Sequence, residues 1–468
     1  MNGGEVVVDV MLSRDVDTVF FVPGGTNTTI LEALSRNRNK VRAIPTRLES
    51  SAAFACETYS KFAKKPACML ASRAPGACNA TVGIHTAMQA SRPLVFFISN
   101  IPKPQQGREA FQEINYHLMY QPIAKAVFDV HSYDEIAEVT ARALDLSISG
   151  RPGPVVVAIS KDILDGPEGE PVIPAKPAIV RAGADPTAVK EAIRLIDTAH
   201  RPILIAGEMV SWEMASQALV EFADASGVGV LTAYRQQDTF PSDHVANFGH
   251  LGINRLPFQE AALSDCDLLI AMGTRMDSVT VNDYTMIRPD QRLVMVYPEP
   301  SEFSQWQANV AIASNVKPAL EALTKGVANP SKERVQWRDK VHHEEVEFAQ
   351  PGEIEVAGAV DMAEVITHFI KMVPQDCINI SDAGSFGRWI SRYYRFNQPD
   401  IEASPVSGAM GYGVPGGIGA QIARPDKTVF VWVGDGGFTM TGHECAAIVQ
   451  EKLPVKVIVC DNSAWGSI

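Results

Sequence analysis

The chain has 468 residues, of which 46% are hydrophobic and 20% are charged, so it is too apolar for a disordered protein and too long for one hydrophobic core. Its formal net charge of −13 excludes the general attraction to nucleic acid or anionic membranes that basic proteins show. No apolar run approaches the ~18 residues of a membrane-spanning helix. The start, MNGGEVVVDV, lacks the basic and apolar regions of a signal peptide. We therefore expect a cytoplasmic protein with small-molecule partners.

Short apolar runs alternate with amphipathic stretches, a pattern typical of parallel sheets covered by helices, so the predicted class is α/β. A segment rich in Pro, Gly and Ala at 166–186 and a charged one at 329–358 are predicted to be linkers. They leave three predicted doubly wound domains, 1–165, 186–328 and 359–468. The last is expected to be incomplete, because the sequence ends just after a buried-looking strand.

Two segments, 68–100 and 429–462, share one design of apolar strand, Gly-containing turn, helix and second apolar strand. They are predicted to be two copies of one βαβ unit. The middle domain has four candidate strands, Ile203–Ala206, Val228–Leu231, Leu268–Met272 and Leu293–Val296. Its first strand is not followed by G-x-G-x-x-G, so we expect a structural role for this domain.

A glycine turn in the third domain carries the strongest chemical signal. The predicted strand Thr428–Val433 runs into Gly434–Gly437, and a second strand, Val455–Cys460, leads to Asn462. If the two strands are parallel neighbours, Asp435 and Asn462 lie at the same sheet edge. Carboxylate and amide oxygens suit Mg²⁺ completed by phosphate oxygens, and glycines let backbone N–H groups approach an anion. The sequence therefore predicts a metal-bridged diphosphate site.

A capping box, Thr441-x-x-Glu444, is predicted to begin the helix after this turn.

The spacing from Gly434-Asp435-Gly436 to Asn462 resembles the signature of thiamine-diphosphate-dependent enzymes. The resemblance implies that Asp435, Asn462 and the main-chain carbonyl of Ala464 hold Mg²⁺. Upstream, 407–415 resembles the aminopyrimidine-binding segment, which implies that the Gly408 carbonyl accepts a hydrogen bond from the cofactor amine and that Met410 supports its bent shape. Segment 382–386 resembles the one that reaches the diphosphate. The further cofactor-binding residues that the resemblance implies are Gly384, Ser385, Gly436, Gly437 and Phe438.

Thiamine chemistry also needs a protein acid at the aminopyrimidine ring. The candidate is Glu49, between the predicted strand Val41–Ile44 and a small-residue helix, where the family places its catalytic glutamate. The alternative is a Glu that only stabilises a helix amino terminus, by ~0.3–1 kcal/mol. The resemblance implies that Glu49 meets the metal site across a subunit interface, in a homodimer or tetramer.

The segment Ala110-Phe111-Gln112-Glu113, followed by 121–125, resembles the acetohydroxyacid synthase (acetolactate synthase) branch of the family. The resemblance implies that Phe111 and Gln112 line the substrate side of the cofactor and that Thr26 lies in a loop over it. The turns at Gly25-Thr26 and 72–76 lack the histidines of simple 2-keto acid decarboxylases. We therefore expect a decarboxylating carboligase that takes a 2-keto acid, with pyruvate as the expected donor.

Two alternatives stay open. One is a benzoylformate-decarboxylase or aldehyde-lyase type of enzyme with a bulkier substrate, and the other is a non-catalytic relative that binds the cofactor. The resemblance also raises the question whether the middle domain binds FAD, because the family's synthases often carry it there. Arg275 in Gly273–Asp277 matches part of that region, whereas Tyr297-Pro298-Glu299-Pro300 replaces the acidic run that FAD binding leads us to expect. We therefore expect thiamine diphosphate and Mg²⁺, and we do not expect FAD.

Overall fold

The computed structural model describes residues 1–166, 169–178, 181–352, 358 and 360–468. The chain divides into two compact units. The first comprises Met1–Ala178, Ile378–Gly384 and Ser404–Ile468, and the second comprises Ile179–Cys377 and Ser385–Ala403.

The strands of the described residues are, in chain order, β1 (Thr18–Phe21), β2 (Arg42–Pro45), β3 (Ala67–Ser72), β4 (Leu94–Asn100), β5 (Ala126–Val130), β6 (Pro154–Ser160), β7 (Pro202–Ala206), β8 (Gly229–Thr232), β9 (Asn247–His250), β10 (Leu268–Met272), β11 (Arg292–Tyr297), β12 (Val310–Ala313), β13 (Ile378–Ser381), β14 (Glu402–Ala403), β15 (Val429–Gly434) and β16 (Lys456–Cys460).

The α-helices are α1 (Gly3–Ser13), α2 (Thr28–Arg36), α3 (Glu49–Ala63), α4 (Arg73–Gln89), α5 (Tyr116–Tyr120), α6 (Ile136–Ile148), α7 (Lys161–Leu164), α8 (Pro186–Thr198), α9 (Glu208–Trp212), α10 (Ser216–Ser226), α11 (Pro257–Asp265), α12 (Val316–Gly326), α13 (Lys332–Ala349), α14 (Met362–Met372), α15 (Gly387–Tyr393), α16 (Gly413–Ala423), α17 (Asp435–Thr441) and α18 (Cys445–Gln450). No helix of the described residues is both long and apolar enough to span a bilayer.

The first unit contains a parallel sheet of six strands in the order β2-β1-β3-β4-β6-β5. The side chains of β6 are all buried, as are those of β4 except Asn100, which is why both strands read as continuous apolar runs. The same unit contains the ladder β13-β15-β16, which is also parallel. The pairs β3–β4 and β15–β16 are direct neighbours, so each predicted βαβ segment forms adjacent parallel strands.

Small residues allow three helices of this unit to pack closely. A Cβ added to Gly83 on α4 would lie 2.3 Å from Ala53 Cβ on α3, and one added to Gly419 on α16 would lie 2.0 Å from the Ala55 oxygen. The small residues of the α3 sequence thus fit close contact on two sides.

The second unit contains a parallel sheet of six strands in the order β12-β11-β10-β7-β8-β9. The four strands predicted from the sequence form its centre, as β7, β8, β10 and β11. Its two edge strands escaped prediction because β9 reads Asn-Phe-Gly-His and β12 alternates buried and exposed residues over only four positions. The prediction of parallel-sheet α/β domains is confirmed.

The prediction of a linker at 329–358 is wrong, because α13 occupies much of it and packs within the second unit, where Val341 joins the hydrophobic core. Its buried face includes Arg334, whose guanidinium donates hydrogen bonds to the carbonyl oxygens of Ile196 and Ser226 at 2.7 Å each. A helix that docks through a buried arginine lacks the apolar stripe that sequence reading relies on. The described part of 166–186 contains no helix or strand before α8 begins at Pro186.

A buried charge cluster joins three elements of the first unit. Glu57 on α3 has one carboxylate oxygen 3.7 Å from Arg92 Nε, just before β4, and the other accepts a hydrogen bond from the hydroxyl of Tyr412, just before α16. All three side chains are at most 3% exposed. Burial raises the pKa of the Glu57 carboxyl, although Arg92 and Tyr412 favour its charged form.

We expect Arg92→Met to destabilise the protein by about 3–5 kcal/mol, because it removes the cation that favours the buried Glu57 carboxylate most and leaves only the weaker effect of Lys61. The double variant Arg92→Met/Glu57→Gln should lose less than the single one. Arg194→Met, which breaks the exposed pair with Glu191, is the control and should stay close to wild type. The measurement is urea unfolding followed by tryptophan fluorescence. Equal losses for Arg92→Met and Arg194→Met would contradict this role of the cluster.

Candidate active site

The edge of the β15–β16 pair brings together the predicted metal ligands. Gly434 at the end of β15 lies opposite Cys460 at the end of β16, so the residues that follow both strands emerge at one edge. Asp435 is the first residue of α17 and is partly buried. Asn462 is exposed, and its Oδ1 accepts a hydrogen bond from the Ala464 amide at 3.2 Å. The chain after Asn462 folds back on the glycine turn, because a Cβ added to Gly436 would lie 2.8 Å from the Trp465 ring.

The predicted capping box is wrong. The chain passes from β15 straight into α17 at Gly434, so Thr441 ends this helix and its hydroxyl donates to the Gly411 oxygen at 2.8 Å. The Glu444 carboxylate accepts the backbone N–H groups of Arg47 and Leu48, at 2.8 and 3.2 Å, just before α3. Burial raises the pKa of Glu444.

The loop before α16 holds the predicted aminopyrimidine contacts. Gly408 has a φ of +73° and is exposed, and a Cβ added there would meet no atom within 4 Å. Met410 reaches the glycine turn, since its Cε lies 3.4 Å from the position of a Cβ on Gly436. Met410 therefore lies beside the glycine turn, and the space at the Cβ position of Gly408 is open.

Asp382 at the end of β13 fixes this loop, although sequence reasoning gave it no role of its own. Its carboxylate is 1% exposed and accepts the N–H groups of Gly411 at 3.0 Å and Gly413 at 2.9 Å. Gly437 packs against it, because a Cβ there would lie 3.1 Å from Asp382 Oδ2. The sequence signal was an acid directly after an apolar strand and before Gly384, at the ligand-binding edge of a parallel sheet.

Other predicted cofactor residues are less closely grouped. Gly384 ends its stretch of the first unit, whereas Ser385 belongs to the second, where its oxygen accepts the Arg388 N–H at 3.1 Å. The Phe438 ring packs on Gly442, about one turn further along the chain.

Glu49 lies at the corresponding edge of the first sheet, after β2. It is the first residue of α3 and is 9% exposed. Its Oε2 accepts a hydrogen bond from Asn79 Nδ2 on α4 at 3.0 Å, and its Oε1 lies 2.8 Å from the position of a Cβ on Gly76. Sequence reasoning missed Asn79. Its position three residues after Gly76, on the same face of one helix, was the available signal.

The residues predicted to line the substrate side also follow strands of the first sheet. The Thr26 hydroxyl lies 2.7 Å from Ser72 Oγ and donates to the Ser99 oxygen at 3.2 Å, so it is already hydrogen-bonded. Gln112 has a φ of +68°, and Phe111 is 78% exposed. Glu113 closes this loop by accepting the N–H groups of Gly107 and Ala110, which lower the pKa of its carboxyl.

The chain packs closely at the crevice of the second sheet. At the switch between β7 and β10, a Cβ added to Gly207 would lie 2.4 Å from Thr274 Cα. Glu208 follows, and it accepts a hydrogen bond from the Tyr297 hydroxyl at 2.9 Å and lies 3.7 Å from Arg275 Nε. This crevice is where doubly wound sheets take ligands, so a buried carboxylate there opposes a diphosphate.

A second carboxylate occupies the start of α12. Glu213 accepts the N–H groups of Val316 at 2.7 Å and Lys317 at 3.3 Å, and burial raises its pKa. The residues of this sheet edge therefore do not fit the diphosphate of FAD.

Three family models match consecutive parts of the chain. They are the N-terminal TPP binding domain of thiamine pyrophosphate enzymes at residues 1–119, their central domain at 189–323 and their C-terminal TPP binding domain at 382–468.

Several curated proteins are similar over the full chain. The probable acetolactate synthase large subunit of Methanocaldococcus jannaschii is 28% identical over 484 residues, covering 100% of this chain and 81% of that protein. The acetolactate synthase isozyme 2 large subunit of Escherichia coli is 29% identical, with 100% and 84% covered. The acetolactate synthase large subunit of Corynebacterium glutamicum is also 29% identical, with 100% and 76% covered.

We expect Asp382→Asn to loosen the loop at 407–413, because an amide presents one acceptor oxygen and turns a donor toward a backbone N–H. The local cost is about 1–3 kcal/mol, measured as faster amide hydrogen exchange of peptides that cover 407–415. Asp426→Asn, at an exposed carboxylate paired with Arg424, is the control. Unchanged exchange in the Asp382 variant would show that the loop does not depend on this carboxylate.

Proposed function

Since the chain belongs to the thiamine pyrophosphate enzyme family, we propose that it is an acetolactate-synthase-like carboligase that decarboxylates a 2-keto acid and joins the remainder to a second carbonyl compound. The observation that carries the proposal is the register of β15 and β16, which places Asp435 and Asn462 at one edge beside the glycine turn. The synthase branch is favoured because the synthases are similar to the whole chain.

With pyruvate as donor and acceptor, two molecules and one proton give 2-acetolactate and CO₂. In the donor, the bond between the carboxylate carbon and the carbonyl carbon breaks. The electron pair stays with the carbonyl carbon and forms the new C–C bond to the acceptor carbonyl carbon. The acceptor oxygen takes up the proton.

We propose that Asp435, Asn462 and the Ala464 carbonyl hold Mg²⁺, which binds hard oxygen ligands and phosphate. Gly436, Gly437 and Phe438 would border the diphosphate together with Gly384. The same role for Ser385 stays a prediction of the sequence. Gly408 and Met410 would contact the aminopyrimidine, and the open space at Gly408 supports this. Thiamine diphosphate, when bound, would supply an acidic ring carbon that can add to the keto carbonyl as its conjugate base, and a ring that stabilises the electron pair left behind when CO₂ departs.

Glu49 is the proposed acid that hydrogen-bonds the aminopyrimidine ring. Its burial and its placement at the sheet edge support this role, since a carboxyl in a water-poor site makes a strong and directed hydrogen bond.

Gln112 and Phe111 are proposed to line the substrate side. Thr26 is proposed there as well, but its hydroxyl already bonds to Ser72 and the Ser99 oxygen, so Gln112 is the better candidate to orient a substrate oxygen.

We propose that the active form is a homodimer or tetramer with the site at a subunit interface. Glu49 and Asp435 lie at the edges of two different sheets. Exposed apolar side chains of the first unit support burial against a second copy, since Val82 on α4 is 44% exposed, Phe111 is 78% exposed and Leu118 is 76% exposed. No nucleic-acid partner is proposed, and a location in the cytoplasm stays a prediction of the sequence.

We expect the purified protein to convert pyruvate to 2-acetolactate when thiamine diphosphate and Mg²⁺ are supplied. Glu49→Gln and Asp435→Ala should each lower turnover about 10²–10⁴-fold, because each removes a group that the chemistry needs. Asp461→Asn is the matched control at the same sheet edge, since among the described residues its carboxylate accepts hydrogen bonds from the hydroxyl and N–H of Ser463 alone. The measurement is product analysis by NMR.

Acetaldehyde as the only product would favour the decarboxylase or lyase alternative. Lack of CO₂ release from a panel of 2-keto acids that includes bulky ones would favour the non-catalytic relative.

We propose that the second unit does not hold FAD, because Glu208 and Glu213 occupy the places that its diphosphate would need. Protein purified after addition of FAD should release far less than a stoichiometric amount of flavin on acid treatment. Turnover should be the same with and without added FAD. Stoichiometric flavin would overturn this proposal and leave the thiamine diphosphate site untouched.

A further inference from the structure

The carboxyl group of Glu49 is held between two helices. Its Oε2 accepts the hydrogen bond from Asn79 at 3.0 Å, while its Oε1 faces Gly76, where an added Cβ would lie only 2.8 Å away. Gly76 and Asn79 lie one turn apart on α4, and Glu49 begins α3. One oxygen thus has a fixed donor, and the other faces a position without a side chain.

This arrangement distinguishes the two oxygens. The side-chain nitrogen of Asn79 can only donate, and a neutral carboxyl group has one hydroxyl oxygen and one carbonyl oxygen. In the neutral form of the carboxyl group, a hydrogen bond from Asn79 to Oε2 favours Oε2 as the carbonyl oxygen and leaves Oε1 as the hydroxyl oxygen. Gly76 lets α4 approach Oε1 this closely, because a side chain there would collide with the carboxyl group.

We propose that Asn79 is a positioning residue that assigns the exchangeable proton of Glu49 to Oε1 and so aims it at the ligand. This rests on the proposed function of Glu49 as the acid of the site. Asn79 is exposed to solvent, and its side-chain amide is held by the hydrogen bond to Glu49.

Other titratable groups lie on segments that neighbour Glu49 or Asn79, and Tyr120 interacts with Glu49 itself. Tyr116 and Tyr120 on α5 have pKa values that burial raises, so both stay protonated near neutral pH. Cys78 neighbours Asn79 on α4, and the Glu444 carboxylate binds the N–H groups just before Glu49. An experiment on the contact between Asn79 and Glu49 must therefore compare variants in which these neighbouring groups are the same.

The first experiment is a double-variant cycle in the full chain without added cofactor, using wild type, Asn79→Asp, Glu49→Gln and the double variant. In Asn79→Asp two carboxyl groups lie within hydrogen-bond distance and share a proton, so one titrates above the ordinary carboxyl pKa of ~4. The shared proton stabilises the folded variant at low pH, and this stabilisation is lost as pH rises. Between about pH 4.5 and pH 7.5 the melting temperature should fall about 2–4 °C further than in wild type.

In the double variant this extra fall should disappear, because an amide at position 49 has no charge to repel the carboxylate introduced at position 79. The neighbouring groups are the same in all four proteins. Gln89→Glu, which adds a carboxylate near the other end of α4, is the control and should follow the wild-type pH trend.

The second experiment separates positioning from structure. Asn79→Leu removes the donor but keeps the size of the side chain. We expect kcat to fall about 10- to 100-fold while KM and the affinity for thiamine diphosphate stay within about twofold, as expected when a reacting group is misaligned and binding is unaffected.

The outcomes separate this inference from the proposed function. An extra pH dependence in Asn79→Asp that Glu49→Gln abolishes supports the contact even if the wild type turns over no keto acid, and in that case only the proposed function fails. An active wild type whose Asn79→Asp variant has the wild-type pH trend, or whose Asn79→Leu variant keeps its kcat, overturns the inference.

Discussion

The proposed cofactor site depends most on the hydrogen bonds that the Asp382 carboxylate accepts. It is buried at the end of β13 and accepts the N–H groups of Gly411 and Gly413, so it sets the path of the loop that carries Gly408 and Met410. A buried carboxylate with its acceptors satisfied by backbone donors is stable, whereas one left without them costs several kcal/mol, of the order of 1–3 for each lost partner. The loop therefore has little freedom to move away from the glycine turn at Gly436.

The parallel sheets explain why residues far apart in the sequence come to lie at one edge. Parallel strands deliver the residues after them to one edge, and each sheet of this chain uses that edge differently. The first sheet places Glu49 there, and the β15–β16 pair places Asp435 and Asn462. The second sheet fills its edge with Glu208, held by Tyr297 and Arg275. One architecture thus carries the proposed site residues at two edges and, at a third, a carboxylate held by the chain's own side chains.

The buried acids of the first unit also differ in what surrounds them. Glu57 is paired with Arg92 and Tyr412, and it joins α3 to the chain before β4 and before α16. Glu49 begins the same helix but has an amide as its partner and a glycine beside its other oxygen. Of these two acids on one helix, Glu57 serves packing, and Glu49 is available for the chemistry we propose.

The sequence by itself determined the α/β class, the central strands and the glycine turn with Asp435, because apolar periodicity and short local motifs are written in consecutive residues. It did not determine α13, whose buried Arg334 is satisfied by carbonyl groups of distant segments. Nor did it determine that Glu444 accepts the N–H of Arg47, that Asp382 accepts the N–H of Gly411, or that Asn79 donates a hydrogen bond to Glu49. Only the tertiary structure decided these, since each joins groups 29 to 397 residues apart whose meeting depends on how sheets and helices pack.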